Sequence, residues 1–303
     1  MNTPTPPPPP TADHVPCLNP ATLSGIPLDQ FVALAAGAGF PTVEVSIQQA
    51  QAYGIPRLRD LLQELGVAVA AASGILPAGP VLPAPLLVDP DTYRACLAGL
   101  PQRLQAMADL GCTVATTVLN PFSSHSTSRA RDLARERIRQ LADTAAPYGI
   151  RLAVEAVSVR RGLPPDLDGP HPVLGTLPQL AELLQETGAA NTGVLVDSFH
   201  WAAAGADPCH ITDLGNGAIS HVQIADAPAG TPAGELTDAE RLFPGDGALP
   251  WDTFTDALTA CGYTGPLSVE LFNPHLRALP AGEIARLAHH WFTRHSTPAE
   301  ATR

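Results

Sequence analysis

The chain has 303 residues, 45% hydrophobic and 15% charged, enough apolar material for one barrel-sized core or two smaller ones. Its formal net charge of −12 argues against a nucleic acid or an anionic membrane as partner, and no apolar run reaches the about eighteen residues of a membrane helix. The five cysteines, Cys17, Cys96, Cys112, Cys209 and Cys261, are odd in number and lack a CxxC pair, which disfavours a disulfide framework or a zinc-thiolate site and fits a reducing cytoplasm.

In chain order, residues 1–14 carry a proline tract, PTPPPPPTADH, and are expected to be a disordered tail. No basic region followed by an apolar core begins the chain, so no signal peptide is expected. From Val15 onward, apolar strand candidates alternate with helical patterns. The strands are expected at 15–19, 42–46, 67–73, 112–118, 150–157, 192–198, 219–225 and 266–272. The helices are expected near 27–38, 57–65, 91–110, 127–147, 177–188, 206–214, 251–262 and 281–294. Short turns such as YGI and GYTG separate several helices from the next strand. Eight strands, each followed by a helix, point to an α/β fold, a (β/α)8 TIM barrel over 15–296, with a flexible tail at 297–303. An open doubly wound sheet is less favoured, because no GxGxxG follows the first strand.

The long segments 74–90, 158–176 and 226–250 follow strands. In a barrel these are loops of the C-terminal face, where active sites are built. Four late strands each carry one metal-capable side chain near their ends: Glu155 in RLAVEAV, Asp197 in TGVLVDSFH, Gln223 in ISHVQIAD and Glu270 in PLSVELF. An acid at the end of a strand buried on both faces is costly unless it is paired. Neighbouring strands stand about 4.8 Å apart, so four such groups can converge. Three carboxylates and an amide oxygen make a hard donor set that favours Mg²⁺ or Mn²⁺.

His200, three residues after Asp197, is expected above the ion, to bind a substrate hydroxyl or move a proton. Arg241, in ERLFPGDG, could hold an oxyanion or hydroxyl, and Gly245 and Gly247 permit close backbone approach. Glu44, near the end of the second strand, would face the same mouth. His221 is expected as a supporting or core residue, and Asp226 as an anchor for a loop or an arginine. His125, Arg160, Arg161 and His275 fall on loops of that face and individually say little. No GxSxG, Walker loop or HExxH is present, so serine hydrolysis, nucleotide binding and zincin chemistry lose support.

CLNPAT (17–22), APYGIRLAVE (146–155), GVLVDSFH (193–200), LTDAERLFPGDG (236–247) and LSVELFNP (267–274) resemble segments of the sugar phosphate isomerase/epimerase superfamily with the xylose isomerase-like barrel. Within it, the chain is most similar to inosose (2-keto-myo-inositol) isomerases. The resemblance runs from about Cys17 to Trp291. It implies a divalent ion held by Glu155, Asp197 and Glu270. The third ligand departs from the pattern, because Gln223 stands where the isomerases usually have histidine. A glutamine there is similar to bacterial 3-dehydroshikimate dehydratases, which also carry an ELFN-like last strand.

The resemblance further implies proton abstraction next to a carbonyl of a small polyol, keto-sugar or cyclitol, through an enediolate. Glu270 or Glu155 would take the proton, while His200 and Arg241 hold hydroxyls. Isomerisation or epimerisation is the leading expectation and dehydration by a metal-dependent lyase the alternative. A non-enzymatic scaffold and a DNA-repair endonuclease are less favoured, the first by the intact acids and the second by the acidic surface. No Lys/Arg cluster announces a phosphate pocket. Barrels of this kind often pair, so a homodimer is an open expectation.

Overall fold

The computed structural model describes residues 14–77 and 85–295, so the tails expected at 1–14 and 297–303 lie outside it, His14 apart. Its strands are β1 (Pro16–Leu18), β2 (Thr42–Ser46), β3 (Ala68–Ser73), β4 (Val114–Leu119), β5 (Phe122–Ser123), β6 (Arg151–Ala156), β7 (His171–Pro172), β8 (Thr192–Asp197), β9 (Ile219–Ile224) and β10 (Leu267–Val269). Eight of them close into a parallel barrel in the order β1, β10, β9, β8, β6, β4, β3, β2. The eight expected strands are all present. β5 and β7 were not expected. They form a two-residue antiparallel ribbon that pins the loop after β6 beside the loop after β4.

The strands are buried because both of their faces are covered. One face packs into the barrel interior and the other against the helical ring, which is why they read as continuous apolar runs. The helices are α1 (Leu28–Ala38), α2 (Ile47–Tyr53), α3 (Ile55–Leu65), α4 (Pro90–Ala98), α5 (Leu100–Asp109), α6 (Thr127–Ala145), α7 (Leu177–Thr187), α8 (Ser198–Ala203), α9 (Cys209–Thr212), α10 (Trp251–Ala260) and α11 (Ala281–His295).

Three departures from the expected helices have local causes. The helix expected over 91–110 is two, broken at Gly99 with Pro101 just beyond. α2 begins directly after β2, with no loop. α8 begins one residue after β8 ends, because the side chain of Asp197 accepts hydrogen bonds from the Phe199 and His200 backbone N–H groups and so caps the helix. His200 is therefore a helix residue rather than a loop residue.

Two buried arginines tie down the segment after β3. Arg137 Nη1 donates to the Leu86 and Val88 carbonyls, each at 2.6 Å, and Arg103 Nε donates to the Ile75 carbonyl at 3.0 Å. Asn120 joins this segment to the loop after β6. Its Oδ1 accepts from the Leu87 N–H at 2.8 Å and its Nδ2 donates to the Asp166 carbonyl at 2.6 Å.

The cysteines give a first prediction. Cys17, Cys96, Cys112 and Cys261 are buried and Cys209 is exposed. Burial pushes the Cys17 and Cys112 thiols up to about 12, with the Glu44 charge adding to it. Titration of the native protein with an aromatic disulfide at pH 8 should give one reactive thiol, Cys209, and four more only on unfolding. A hydrogen bond to Asp207 raises the Cys209 thiol too, so this one should react more slowly than a free thiol. A second fast thiol in the native protein would contradict the packing described.

Candidate metal and active site

The C-terminal ends of the barrel strands open into a cavity of about 470 Å³. Each side of the barrel contributes to it, from Asn19 after β1 and Glu44 on β2 round to Glu155, Gln223 and Glu270. Pro85, Val118, Val157, Leu167, Leu195 and Phe272 supply apolar wall. All three long loops reach it: Pro85 from the first, Pro164 and Asp166 from the second, Asp238 and Arg241 from the third.

Asp197 lies in register with Gln223 on β9, and Gln223 with Ser268 on β10. Asp197 Oδ1 accepts from the Phe199 N–H at 2.7 Å and the His200 N–H at 3.2 Å, while Oδ2 accepts from Arg241 Nη1 at 2.7 Å. Capping α8 thus brings His200 back over the barrel mouth. Its Nε2 lies 3.4 Å from Glu155 Oε1 and 3.4 Å from Arg241 Nη2. One donor atom each from Glu155, Asp197 and His200 falls within 4.8 Å of the others, and all three residues are buried. Burial pulls the His200 imidazole down, but the Asp197 charge, a hydrogen bond to Glu155 and the Asp238 charge outweigh it and raise it above its ordinary range.

Glu270 stands one residue past β10, still held by its N–H to the Ile224 carbonyl at 3.1 Å. Asn19 Nδ2 donates to its Oε1 at 3.0 Å, Gln223 Nε2 donates to the same oxygen at 3.3 Å, and Arg241 Nη1 lies 3.5 Å from Oε2. Burial sets this carboxyl well above the usual carboxylate range. Arg241 opposes the shift, and Glu155, Asp197 and Glu44 add to it.

Arg241 is 1% exposed and fully committed. Its Nε and Nη2 both reach Asp238 Oδ1 at 2.9 Å, and its guanidinium carbon lies 4.9 and 5.0 Å from the ring centres of Phe199 and Phe272. Its carbonyl accepts from Asn273 Nδ2 at 3.1 Å. The loop carrying it is anchored by Asp226, which is fully buried. Asp226 Oδ1 accepts from the Ala227 N–H at 2.8 Å and the Leu249 N–H at 2.9 Å. Its Oδ2 accepts from the Gly245 N–H at 2.9 Å and from Trp251 Nε1 at 2.8 Å. Gly247 serves the same anchor. A Cβ there would come within 2.2 Å of the Ala227 carbonyl oxygen and 2.4 Å of Asp226 Oδ1. Gly245 adopts φ +87°, whereas Gly247 is required by space rather than by conformation. Both approach Asp226.

Glu44 lines the cavity floor yet is only 1% exposed, because His221 Nε2 lies 3.0 Å from its Oε1 and Gln223 Nε2 donates to both of its oxygens at 3.2 and 3.4 Å. Burial pushes its carboxyl up, but the His221 charge and close polar contacts from His221, Ser268 and Gln223 bring it below its ordinary value. His125, Arg160, Arg161 and His275 are exposed and do not line the cavity.

Asn19, Asp238, Phe199 and Phe272 were not singled out from the sequence. Asp238 carried a readable signal. It lies inside TDAE, a capping box in which Thr237 and Glu240 bond reciprocally, three residues before Arg241.

The residues present fit a divalent cation. Glu155, Asp197 and His200 each offer a donor atom within 4.8 Å of the others, and Gln223, in register with Asp197, has a buried Oε1 with no hydrogen-bond partner; Glu270 falls outside that tight group.

A closed parallel barrel with clustered acids at its C-terminal mouth defines the class as a TIM barrel whose buried Glu155, Asp197 and His200 group could hold a metal ion. Residues 32–295 match the xylose isomerase-like TIM barrel family, and the chain belongs to it. The chain is 33% identical over 153 residues to an inosose isomerase of Halalkalibacterium halodurans, a match covering 50% of each. It is 31% identical over 271 residues to a 3-dehydroshikimate dehydratase of Pseudomonas aeruginosa, covering 86% of this chain and 38% of that protein. The chain thus spans half or less of the length of these curated relatives. A xylose isomerase domain protein from Alicyclobacillus acidocaldarius superposes with a TM-score of 0.78 at 27% identity, covering 92% of this chain and 97% of that one. Among the described residues, no helix is long and apolar enough to cross a membrane.

Proposed function

We propose that the chain is a divalent-metal-dependent isomerase or epimerase acting on an uncharged keto-sugar or keto-cyclitol. Glu155, Asp197, Gln223 and Glu270 would hold the cation, with His200 at its edge. The oxygen-rich set supports Mn²⁺ or Mg²⁺. A cation there would supply Lewis-acid polarisation of the substrate carbonyl and hold the negative charge that develops on proton loss.

The observation that carries the substrate class is the charge inventory of the cavity. Arg241 is the one permanent cation among its described lining residues, and Asp197, Asp238 and Glu270 already engage it. Apart from the proposed cation, an anionic substrate would find carboxylates and no free counter-charge on the protein, whereas hydroxyls can bind to them. Glu270 and Glu155 stand on opposite sides of Asp197 in the barrel order and could take and return a proton from different directions. His200 is placed to hold a hydroxyl, and Arg241 to steady the carboxylates around it.

Gln223 favours a second reading, a metal-dependent dehydratase of the dehydroshikimate type. The match of 271 residues to such an enzyme supports it too. The test is to strip the protein of metal, reload it with Mn²⁺, and incubate it in D₂O with neutral keto-cyclitols and ketoses, and separately with dehydroshikimate. Deuterium entering beside the carbonyl, with a new isomer appearing, is the expected result. Ultraviolet absorbance growing with dehydroshikimate alone would establish the second reading. Neither signal from metal-loaded protein would defeat both.

A further inference from the structure

We infer that Glu44 is a positioning residue that fixes the amide orientation of Gln223 and so makes its oxygen available as a metal ligand; this rests on the reading that the cluster holds a divalent cation. An amide side chain has two nearly isosteric ends, of which only the oxygen can bind a cation. Which end faces the site is set by what the other end touches. Here Nε2 meets three carboxylate oxygens, Glu44 Oε1 at 3.2 Å, Glu44 Oε2 at 3.4 Å and Glu270 Oε1 at 3.3 Å. Carboxylate oxygens only accept, so turning the amide over would set its carbonyl against them in a buried site. Gln223 Oε1 is left buried without a partner.

Of the two acceptors, Glu270 belongs to the group proposed to hold the ion. Glu44 does not. It comes from β2, three places from β9 around the barrel, and reaches Gln223 through the interior. It is packed against His221, two residues before Gln223 on the same strand face, whose Nε2 lies 3.0 Å from Glu44 Oε1 without meeting hydrogen-bond geometry. The order His221, Glu44, Gln223 is thus a buried row ending in an oxygen without a partner. An imidazole at position 223 would need its tautomer fixed by a partner, whereas the amide needs its oxygen and nitrogen ends told apart.

The test is Mn²⁺ affinity, measured by calorimetry on the full demetallated chain and on Glu44→Leu and Glu44→Gln, with circular dichroism as a check of folding. Both variants remove the same charge, but Glu44→Gln keeps one acceptor oxygen for Nε2. Supporting partners of metal ligands typically contribute 10- to 100-fold in affinity. Glu44→Leu is expected to bind Mn²⁺ at least tenfold more weakly than Glu44→Gln. Equal weakening in the two would reduce Glu44 to a charge effect and overturn the inference, as would wild-type affinity in Glu44→Leu. Wild-type protein that binds no Mn²⁺ would instead overturn the metal reading itself. Should Glu44→Leu fail to fold, a crystal of the wild-type chain with Mn²⁺ decides. Gln223 Oε1 on the metal with Nε2 on Glu44 is expected, and any other orientation overturns the inference.

Discussion

Glu270→Gln should lower kcat/KM by about 10³-fold or more, near the upper part of the range for a positioned general base. The amide has the shape of the carboxylate and can keep the contact from Asn19, but it cannot take a proton. If Glu155 takes the proton in the first step, Glu270→Gln should still exchange substrate hydrogen with D₂O while forming little product. Single-turnover exchange measured by NMR separates the two assignments. The same variant should be more stable without metal. Burial and three neighbouring acids raise the folded-state pKa of Glu270, so the folded protein holds that proton more tightly than the unfolded chain does. Stability from this group is fully present below the unfolded value of about 4.3 and is lost as pH rises through the folded one. At neutral pH the ionised group is a burden on the metal-free fold that glutamine removes. Melting of the metal-free variant above wild type at pH 7.5, with the gap closing towards pH 4, is the expected pattern. Activity retained within tenfold would remove Glu270 from the reaction.

Asp226→Ala should be the most damaging single change to stability outside the apolar core. It leaves four donors unsatisfied: the N–H groups of Ala227, Gly245 and Leu249, and the Trp251 indole. A buried donor left without its partner costs about 1–3 kcal/mol. Allowing for water and relaxation, the total should reach about 4 kcal/mol, within the exceptional tail of single substitutions. Asp226→Asn keeps one oxygen and sets an NH₂ against two donors, so it should cost roughly half as much. Both variants should also lower turnover, because the anchored loop carries Arg241. Denaturant unfolding gives the ranking. An Asp226→Ala protein within about 1 kcal/mol of wild type would show that this loop holds itself in place.

The barrel was legible because parallel strands covered on both faces must be apolar throughout, and the runs at 42–46, 150–157, 192–198 and 219–225 have no competing period. Helix breaks were less legible. Gly99 and Pro101 were a readable interruption, but α8 was hidden because Asp197 belongs to a strand and caps a helix at once. At the site, strand-end acids could be found by spacing alone. Their partners could not. Asn19 bonds Glu270 across 251 positions and Gln223 bonds Glu44 across 179, so only barrel closure brings them together. Glu44 was readable as a group at the barrel mouth, and it lines the cavity, but its contacts with His221 and Gln223 were not readable.

The bridge made by Asn120 bears on how new specificities could be built on this scaffold. One side chain ties the segment at Leu87 to the segment at Asp166, so the two borders of the cavity are joined through it. A chimera that grafts only one border from a relative would strand the amide of Asn120 and tilt the other border. Loop exchange here should succeed only when both borders and position 120 travel as one cassette.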